Sequence, residues 1–119
     1  METKHNLAKS FAFAFEGIWA EFKKGKNFRI QVFLGIAAII LGFVLKISSQ
    51  EWFSLILVIA SVLILELINT AIESMVDMIS PEIQEKAKIA KDVSAGAVLV
   101  SSIAAAFVGA ILFLPKIFR

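Results

Sequence analysis

Long runs of apolar residues, separated by short polar breaks, make up most of this chain. Residues 30–45 and 93–115 carry no charge, and residues 52–72 carry only one. A helix that crosses a membrane needs about 20 consecutive, mostly apolar residues. The pattern therefore predicts three membrane-spanning helices once the flanking residues are included. Their expected bounds are about residues 28–46, 52–79 and 86–115.

A shorter stretch ahead of the spans has a different pattern. Its apolar residues recur at helical spacing, while charged residues fall elsewhere around the helix. The apolar positions are Phe11, Phe15, Ile18, Trp19 and Phe22. Such a helix lies in the membrane interface with its apolar face toward lipid, and we expect it over about residues 7–25. The sequence thus predicts an all-α membrane protein of one domain, residues 1–119, with an N-terminal amphipathic surface helix followed by three transmembrane helices.

The composition agrees with a membrane protein. Hydrophobic residues make up 59% of the 119 residues, against roughly 45–50% in soluble globular chains. The chain has no cysteine, which excludes disulfides, thiolate nucleophiles and zinc sites built on cysteine. The net charge of +2 is small and basic residues alternate with acidic ones, so no nucleic-acid partner is expected.

The distribution of positive charge predicts the orientation of the chain. Nine of its twelve Lys and Arg residues lie in the N-terminal segment and in the connection between the second and third spans. Short loops rich in Lys and Arg stay on the cytoplasmic side of the membrane. The N-terminus and the connection at residues 77–92 are therefore predicted to be cytoplasmic.

Four polar residues interrupt the cytoplasmic end of the second span: Glu66, Asn69, Glu73 and Asp77. At 100° per residue they form one stripe about 80° wide, with Glu66 about 10 Å deeper than Glu73. Ionisable residues inside a span cost about 2.5–3.5 kcal/mol each and tend to face a protein interior, a partner charge or a metal. Protrusion of the helix end into water explains Asp77, and Glu73 as well, without any site. Glu66 lies too deep for that explanation, and a poorly hydrated carboxylate suits a general base.

Basic residues lie at the same membrane face as this stripe. Lys86, Lys88 and Lys91 precede the third span, and Asp92 follows directly. Carboxylates bind Mg²⁺ and lysines bind phosphates, so together they suggest phosphoryl transfer at a membrane surface. Taken alone, the lysines are better explained as a cytoplasmic anchor. Small residues in the third span permit close helix contacts, and three spans barely enclose a polar site, so we expect an oligomer with shared sites.

The segment ELINTAIESMVD, followed by SPE and AKIAKDVSAGAVL, resembles the signature of the small prokaryotic diacylglycerol kinase and undecaprenol kinase family. The resemblance covers nearly the whole chain. It implies a homotrimeric lipid kinase of the bacterial plasma (inner) membrane, with its N-terminus and active site on the cytoplasmic side. It also implies transfer of the γ-phosphoryl group of ATP, with Mg²⁺, to the hydroxyl group of undecaprenol or diacylglycerol.

The resemblance further implies roles for individual residues. Glu66 matches the family's proposed catalytic base, Glu73 matches a carboxylate that binds the metal, and Asp77 matches an acidic active-site residue one turn beyond. The residues matched to the nucleotide site are Asn69, Lys91, Asp92 and, in the surface helix, Lys9.

One position departs from the family pattern. When Phe28 and Arg29 are aligned with the equivalent pair of the family, Gly25 stands where many members have a glutamate that joins the metal site. Glu21 lies four residues earlier, on the same face if the helix continues. Our hypothesis is that Glu21 replaces the missing carboxylate as a metal ligand.

The residues alone leave two other classes of function open. A non-catalytic scaffold or accessory subunit would use the stripe for helix contacts and would tolerate Glu73→Gln. A proton-coupled carrier would need a titrating Glu66 but neither ATP nor Lys91. A kinase would lose its Mg²⁺-dependent activity when Glu73 is changed.

Overall fold

Four α-helices make up the computed structural model, which describes residues 6–82 and 84–119. In chain order they are α1 (Leu7–Lys24), α2 (Lys26–Val44), α3 (Ser49–Ile79) and α4 (Glu85–Ile117). Helices α2, α3 and α4 are each long and apolar enough to cross a membrane. The predicted fold class, an all-α chain with a first amphipathic helix and three apolar helices, is confirmed.

Helices α3 and α4, with 31 and 33 residues, are longer than the hydrocarbon layer of a membrane is thick. At 1.5 Å per residue, α2 with its 19 residues spans about 28 Å, whereas α3 with 31 residues spans about 46 Å. The hydrocarbon layer is about 30 Å thick. Twenty residues counted from Ser49 end near Asn69, so a span that begins at Ser49 leaves the last part of α3, with Glu73 and Asp77, outside the hydrocarbon.

A tight turn joins α2 to α3. Lys46 adopts a left-handed conformation, with φ of 54°. The Lys46 N–H donates to the carbonyl oxygen of Phe43 at 3.3 Å, and the Ile47 N–H donates to that of Gly42 at 3.2 Å. These two bonds form a Schellman motif, which ends a helix and reverses the chain. Gly42 is needed here, because an added Cβ would lie 2.8 Å from Cη2 of Trp52.

The start of α3 is fastened to the end of α4. Ser48 and Glu51 form a capping box: the Glu51 N–H donates to Ser48 Oγ at 3.2 Å, and the Ser48 N–H donates to Glu51 Oε1 at 2.9 Å. The other oxygen of Glu51 pairs with Lys116 of α4. The largest cluster of buried apolar residues lies beside this pair and includes Ile47, Leu55, Leu112 and Phe113. Helices α3 and α4 therefore pack firmly at the end opposite the polar stripe.

The surface helix α1 is held at a fixed angle to α2. Gly25 separates the two helices, and its N–H donates to the carbonyl oxygen of Glu21 at 2.7 Å. The Arg29 guanidinium donates to the carbonyl oxygens of Phe22 at 2.9 Å and Lys23 at 2.7 Å. A basic side chain thus caps the last turn of α1, where the carbonyl groups lack helical partners. This arrangement brings Glu21 against α3.

The outer faces of the helices are apolar. On α1, Phe15 is 66% exposed, and large exposed apolar residues continue along the spans. They include Phe33, Ile40, Phe53, Leu57, Leu99 and Phe107. An apolar surface of this extent on long helices matches the hydrocarbon of a bilayer.

Candidate active site

The polar stripe on α3 faces the other helices and becomes more exposed toward the helix end. Glu66 and Asn69 are buried, with exposed fractions of 7% and 8%. Glu73 is half-buried and Asp77 is exposed. The stripe therefore forms a path from the interior of the helix bundle to the membrane surface, in the order that the sequence predicts.

Glu66 lies at the inner end of this path. The carboxylates of Glu21 and Glu73 are close enough to act on it electrostatically, and the side chain of Gln31 on α2 interacts with its carboxyl group. Among the described residues, Gln31 Oε1 is the one buried side-chain N or O atom without a hydrogen-bond partner. The Glu66 carboxyl group is thus removed from water but surrounded by polar groups.

An apolar cleft of about 260 Å³ lies among α2, α3 and α4, with Gln31 in its lining. Its other walls include Leu34, Gly35, Val58, Val62, Ala105 and Phe113. A cleft with two polar side chains, Gln31 and Ser102, in an otherwise apolar wall fits an aliphatic ligand that carries a polar end. Val62 of α3 lines the cleft one helical turn before Glu66, so the cleft adjoins the inner end of the stripe.

Glu21 is buried, with only 5% of its surface exposed. Its Oε2 accepts a hydrogen bond from the hydroxyl group of Thr70 on α3. Its carboxyl group occupies the space beside Gly25, where an added Cβ would lie 2.9 Å from Glu21 Cδ and 2.9 Å from Oε1. From the sequence, our hypothesis is that Glu21 replaces the carboxylate missing at position 25. The Glu21 carboxylate lies where a side chain at position 25 would begin.

Asn69 connects α3 to α4. Its Nδ2 donates to Glu73 Oε1 at 3.1 Å, and its Oδ1 accepts from the hydroxyl group of Ser94 at 2.5 Å. Ser94 is itself 8% exposed. Ser94 is one of the small residues of the third span that permit close packing, and no pattern within α4 distinguishes it from Ser101 or Ser102.

Ion pairs line the outer end of the stripe. Lys91 Nζ lies 2.8 Å from Asp77 Oδ1, and Lys88 Nζ lies 2.7 Å from Asp92 Oδ2. Both pairs border a cleft of about 360 Å³ at the connection between α3 and α4. Lys91 and Asp92 are adjacent in sequence, but they have separate partners because neighbouring residues point about 100° apart on a helix.

Lys9 is not part of this cluster within one chain. It is exposed in the first turn of α1, where its backbone N–H donates to Asn6 Oδ1 at 2.9 Å. It precedes Glu21 by twelve residues, which is about 18 Å along the helix axis. The structure thus brings together the predicted residues of α3, α4 and the end of α1, while Lys9 lies apart.

The donor groups fit a Mg²⁺ ion that is shared with phosphates. Within residues 6–82 and 84–119, no three Asp, Glu, His or Cys side chains are grouped closely enough to hold a metal by themselves. Mg²⁺ in nucleotide-dependent enzymes uses one or two carboxylates and takes its remaining ligands from phosphates and water. Glu73 and Glu21 offer carboxylate oxygens of this kind. The arrangement can therefore receive a proton, share a metal and bind phosphates.

The sequence matches a known family over most of its length. Residues 12–113 match the model of the family described as prokaryotic diacylglycerol kinase. The chain is similar to the undecaprenol kinase of Bacillus subtilis, with 40% identity over 109 residues, covering 92% of this chain and 89% of that protein. It is 44% identical over 113 residues to the diacylglycerol kinase of Synechocystis sp., covering 94% of this chain and 65% of that protein. It is 36% identical over 112 residues to the diacylglycerol kinase of Haemophilus influenzae, covering 91% and 92%.

Proposed function

Because this chain belongs to the prokaryotic diacylglycerol kinase family, we propose that it transfers the γ-phosphoryl group of MgATP to the hydroxyl group of a membrane lipid. The observation that carries this proposal is a stripe running from the buried Glu66, beside an apolar cleft, to Lys91 at the membrane surface. A lipid reaches the inner end of such a stripe from the bilayer. A nucleotide reaches the outer end from water.

The reaction divides between these two ends. The lipid hydroxyl oxygen forms a bond to the γ-phosphorus, and the bond from that phosphorus to the bridging oxygen of ADP breaks. The hydroxyl proton passes to the Glu66 carboxylate, which acts as general base. Phosphoryl transfer depends mainly on positioning and charge stabilisation, so a small number of residues is sufficient.

The metal site is proposed at Glu73 and Glu21. Glu73 and Glu21 would hold a Mg²⁺ ion, and the ion would supply positive charge that neutralises the phosphates. Glu21 is fixed for this role by Thr70, and Glu73 by Asn69. Asp77, one turn further, holds the ammonium group of Lys91 near the same face.

The nucleotide is proposed to bind in the outer cleft. Lys91 and Asp92 line this cleft and would contact ATP together with Asn69. Lys9 lies about 18 Å from Glu21 along the axis of α1, and we propose that it reaches phosphates bound by a neighbouring chain. The proposed assembly is a homotrimer with its sites between chains, on the cytoplasmic face of the bacterial plasma membrane.

The first experiment is a transfer assay in mixed micelles. The purified protein is given MgATP with undecaprenol and diacylglycerol side by side, because relatives carry the names undecaprenol kinase and diacylglycerol kinase. We expect phosphorylation of at least one lipid, and the ratio of the two rates ranks the acceptors.

The control for this assay is Glu66→Gln, which keeps the size of the side chain but cannot accept the proton. We expect it to lower the rate of transfer by about 10²–10⁴. If the folded wild-type protein phosphorylates neither lipid, the proposed activity is wrong. If Glu66→Gln remains fully active, the assignment of the base is wrong.

A further inference from the structure

Ser94 of α4 makes an unusual contact for a residue in a run of small side chains. Its hydroxyl oxygen lies 2.5 Å from Asn69 Oδ1 and 3.0 Å from the carbonyl oxygen of Lys91. Ser94 and Asn69 are both 8% exposed, so water does not compete with the bond. A buried hydrogen bond between two apolar helices is expensive to leave unmade. The contact therefore orders both side chains.

Glu73 determines which end of the Asn69 amide faces it, and Ser94 holds the other end. A carboxylate only accepts hydrogen bonds, whereas an amide has a donor end and an acceptor end. The Nδ2 end therefore lies toward Glu73 Oε1 at 3.1 Å, and Oδ1 is left to accept from the Ser94 hydroxyl, whose one hydrogen makes its shorter contact, 2.5 Å, there. The reversed amide would place two acceptor oxygens against each other.

This chain of bonds fixes Glu73 by one of its two oxygens. Oε1 is held by Asn69. In the described part of the chain Oε2 makes no hydrogen bond and no ion pair. A carboxylate that is held by one oxygen presents the other in a defined direction, which is how outer residues commonly orient a metal ligand.

We propose that Ser94 is a positioning residue of the kinase site, which acts through Asn69 to hold Glu73 in the orientation that binds Mg²⁺. The inference rests on the proposed function, and it adds a residue that the α3 motif does not contain. It also gives α4 a part in metal binding, besides its lysine and aspartate at the nucleotide cleft.

Ser101 supplies a matched control. It is a half-buried serine in the same helix, and among the described residues Ser94 is the one α4 hydroxyl that bonds to α3. Both Ser94→Ala and Ser101→Ala remove one hydroxyl group from α4 and leave helix propensity little changed. An effect limited to Ser94→Ala therefore reports on its bond to Asn69.

The test measures metal binding in two ways. One is the Mg²⁺ concentration that gives half-maximal transfer, and the other is the affinity for Mn²⁺ in the presence of ADP, measured by electron paramagnetic resonance. We expect Ser94→Ala to weaken both by about threefold to tenfold, the range for one lost hydrogen bond. We expect Ser94→Ala to leave the KM for lipid unchanged. Ser94→Thr, which keeps a hydroxyl group, should have the wild-type Mg²⁺ requirement and Mn²⁺ affinity, and so should Ser101→Ala.

A double variant tests whether Ser94 acts through Asn69. If it does, adding Ser94→Ala to Asn69→Ala causes no further loss of Mn²⁺ affinity. Additive losses, or lower activity with unchanged metal constants, would overturn the proposal and leave Ser94 as a packing residue. The Mn²⁺ comparison needs no turnover, so it gives an answer even if the wild-type protein fails to phosphorylate either lipid.

Discussion

The carboxyl group of Glu21 occupies the space beside the Cα of Gly25. An added Cβ at position 25 would lie 2.9 Å from Glu21 Cδ, which is closer than Cβ atoms come to other atoms in folded proteins. A side chain at position 25 would meet the Glu21 carboxyl group in its present conformation, and its Cβ would also lie 2.8 Å from the Glu21 carbonyl oxygen. The Glu21 carboxyl group thus occupies the space next to position 25, which supports the hypothesis that Glu21 supplies the metal-binding carboxylate at this place.

The first prediction tests whether Glu21 supplies the carboxylate that is missing at position 25. We expect Glu21→Ala to raise the Mg²⁺ concentration for half-maximal activity about tenfold or more, the range for losing a group that supports a metal site. We expect the double variant Glu21→Ala with Gly25→Glu to recover only part of the loss: it restores one carboxylate in the same space, but its Cβ at position 25 lies 2.8 Å from the backbone carbonyl oxygen of residue 21, so the junction of α1 and α2 must shift. The Mg²⁺ activation curve of each variant is the measurement.

The control for the exchange is Glu16→Ala, which removes an exposed carboxylate from the same helix. It should leave the activation curve unchanged. If Glu21→Ala also leaves activity and Mg²⁺ dependence unchanged, Glu21 is not a metal ligand.

A second prediction separates proton transfer from nucleotide binding. Glu66→Gln should lower kcat by about 10²–10⁴, the usual contribution of a general base. The affinity for ATP should stay near that of the wild type, because Glu66 lies at the inner end of the stripe. Equilibrium binding of a fluorescent ATP analogue, measured beside kcat, checks both parts. A parallel loss of nucleotide binding would place Glu66 in the nucleotide site instead.

A third prediction concerns the two lysines of the outer cleft. Lys91→Ala should raise the KM for ATP by about tenfold, because a charge-assisted contact to phosphate is lost. Lys88→Ala is the matched control, since Lys88 pairs with Asp92 one turn away on the same exposed face. We expect it to change the KM much less, because exposed pairs within one helix contribute little. Equal effects would show that the cleft attracts nucleotide by general positive charge.

A fourth prediction concerns stability at the far end of the bundle. Gly42→Ala forces Trp52 to move and should lower the free energy of unfolding by about 1–3 kcal/mol. Gly109→Ala is the control, because an added Cβ there meets nothing within 4 Å. Titration of micellar samples with sodium dodecyl sulfate, followed by circular dichroism, gives both values. Equal stability of the two variants would mean that the turn adjusts to the extra methyl group.

The sequence was sufficient to predict the helices and the stripe because both depend on local periodicity. Runs of apolar residues identify spans whatever their partners, and Glu66, Asn69 and Glu73 share one face by their spacing alone. The family match then supplies the reaction. These features need no information on how one helix is rotated against another.

The contacts between helices were not predictable in the same way. Lys91 pairs with Asp77 across fourteen positions, and Ser94 bonds to Asn69 across twenty-five. Both contacts depend on the rotation of α4 about its own axis. Small residues in α4 permit several rotations in lipid, since they exclude few approaches. Ser94 therefore looked like a packing residue until its partner was known.

The bonds that form the candidate site also join the helices to one another. Thr70 links α3 to α1 through Glu21, and Ser94 links α4 to α3 through Asn69. Lipid tails are as apolar as the helix surfaces, so the hydrophobic effect gives these helices little reason to associate. In a water-soluble enzyme, catalysis occurs in a cavity of a scaffold that its core holds together. Here the candidate site residues are themselves part of the scaffold, so the same few bonds shape the site and hold the helices together.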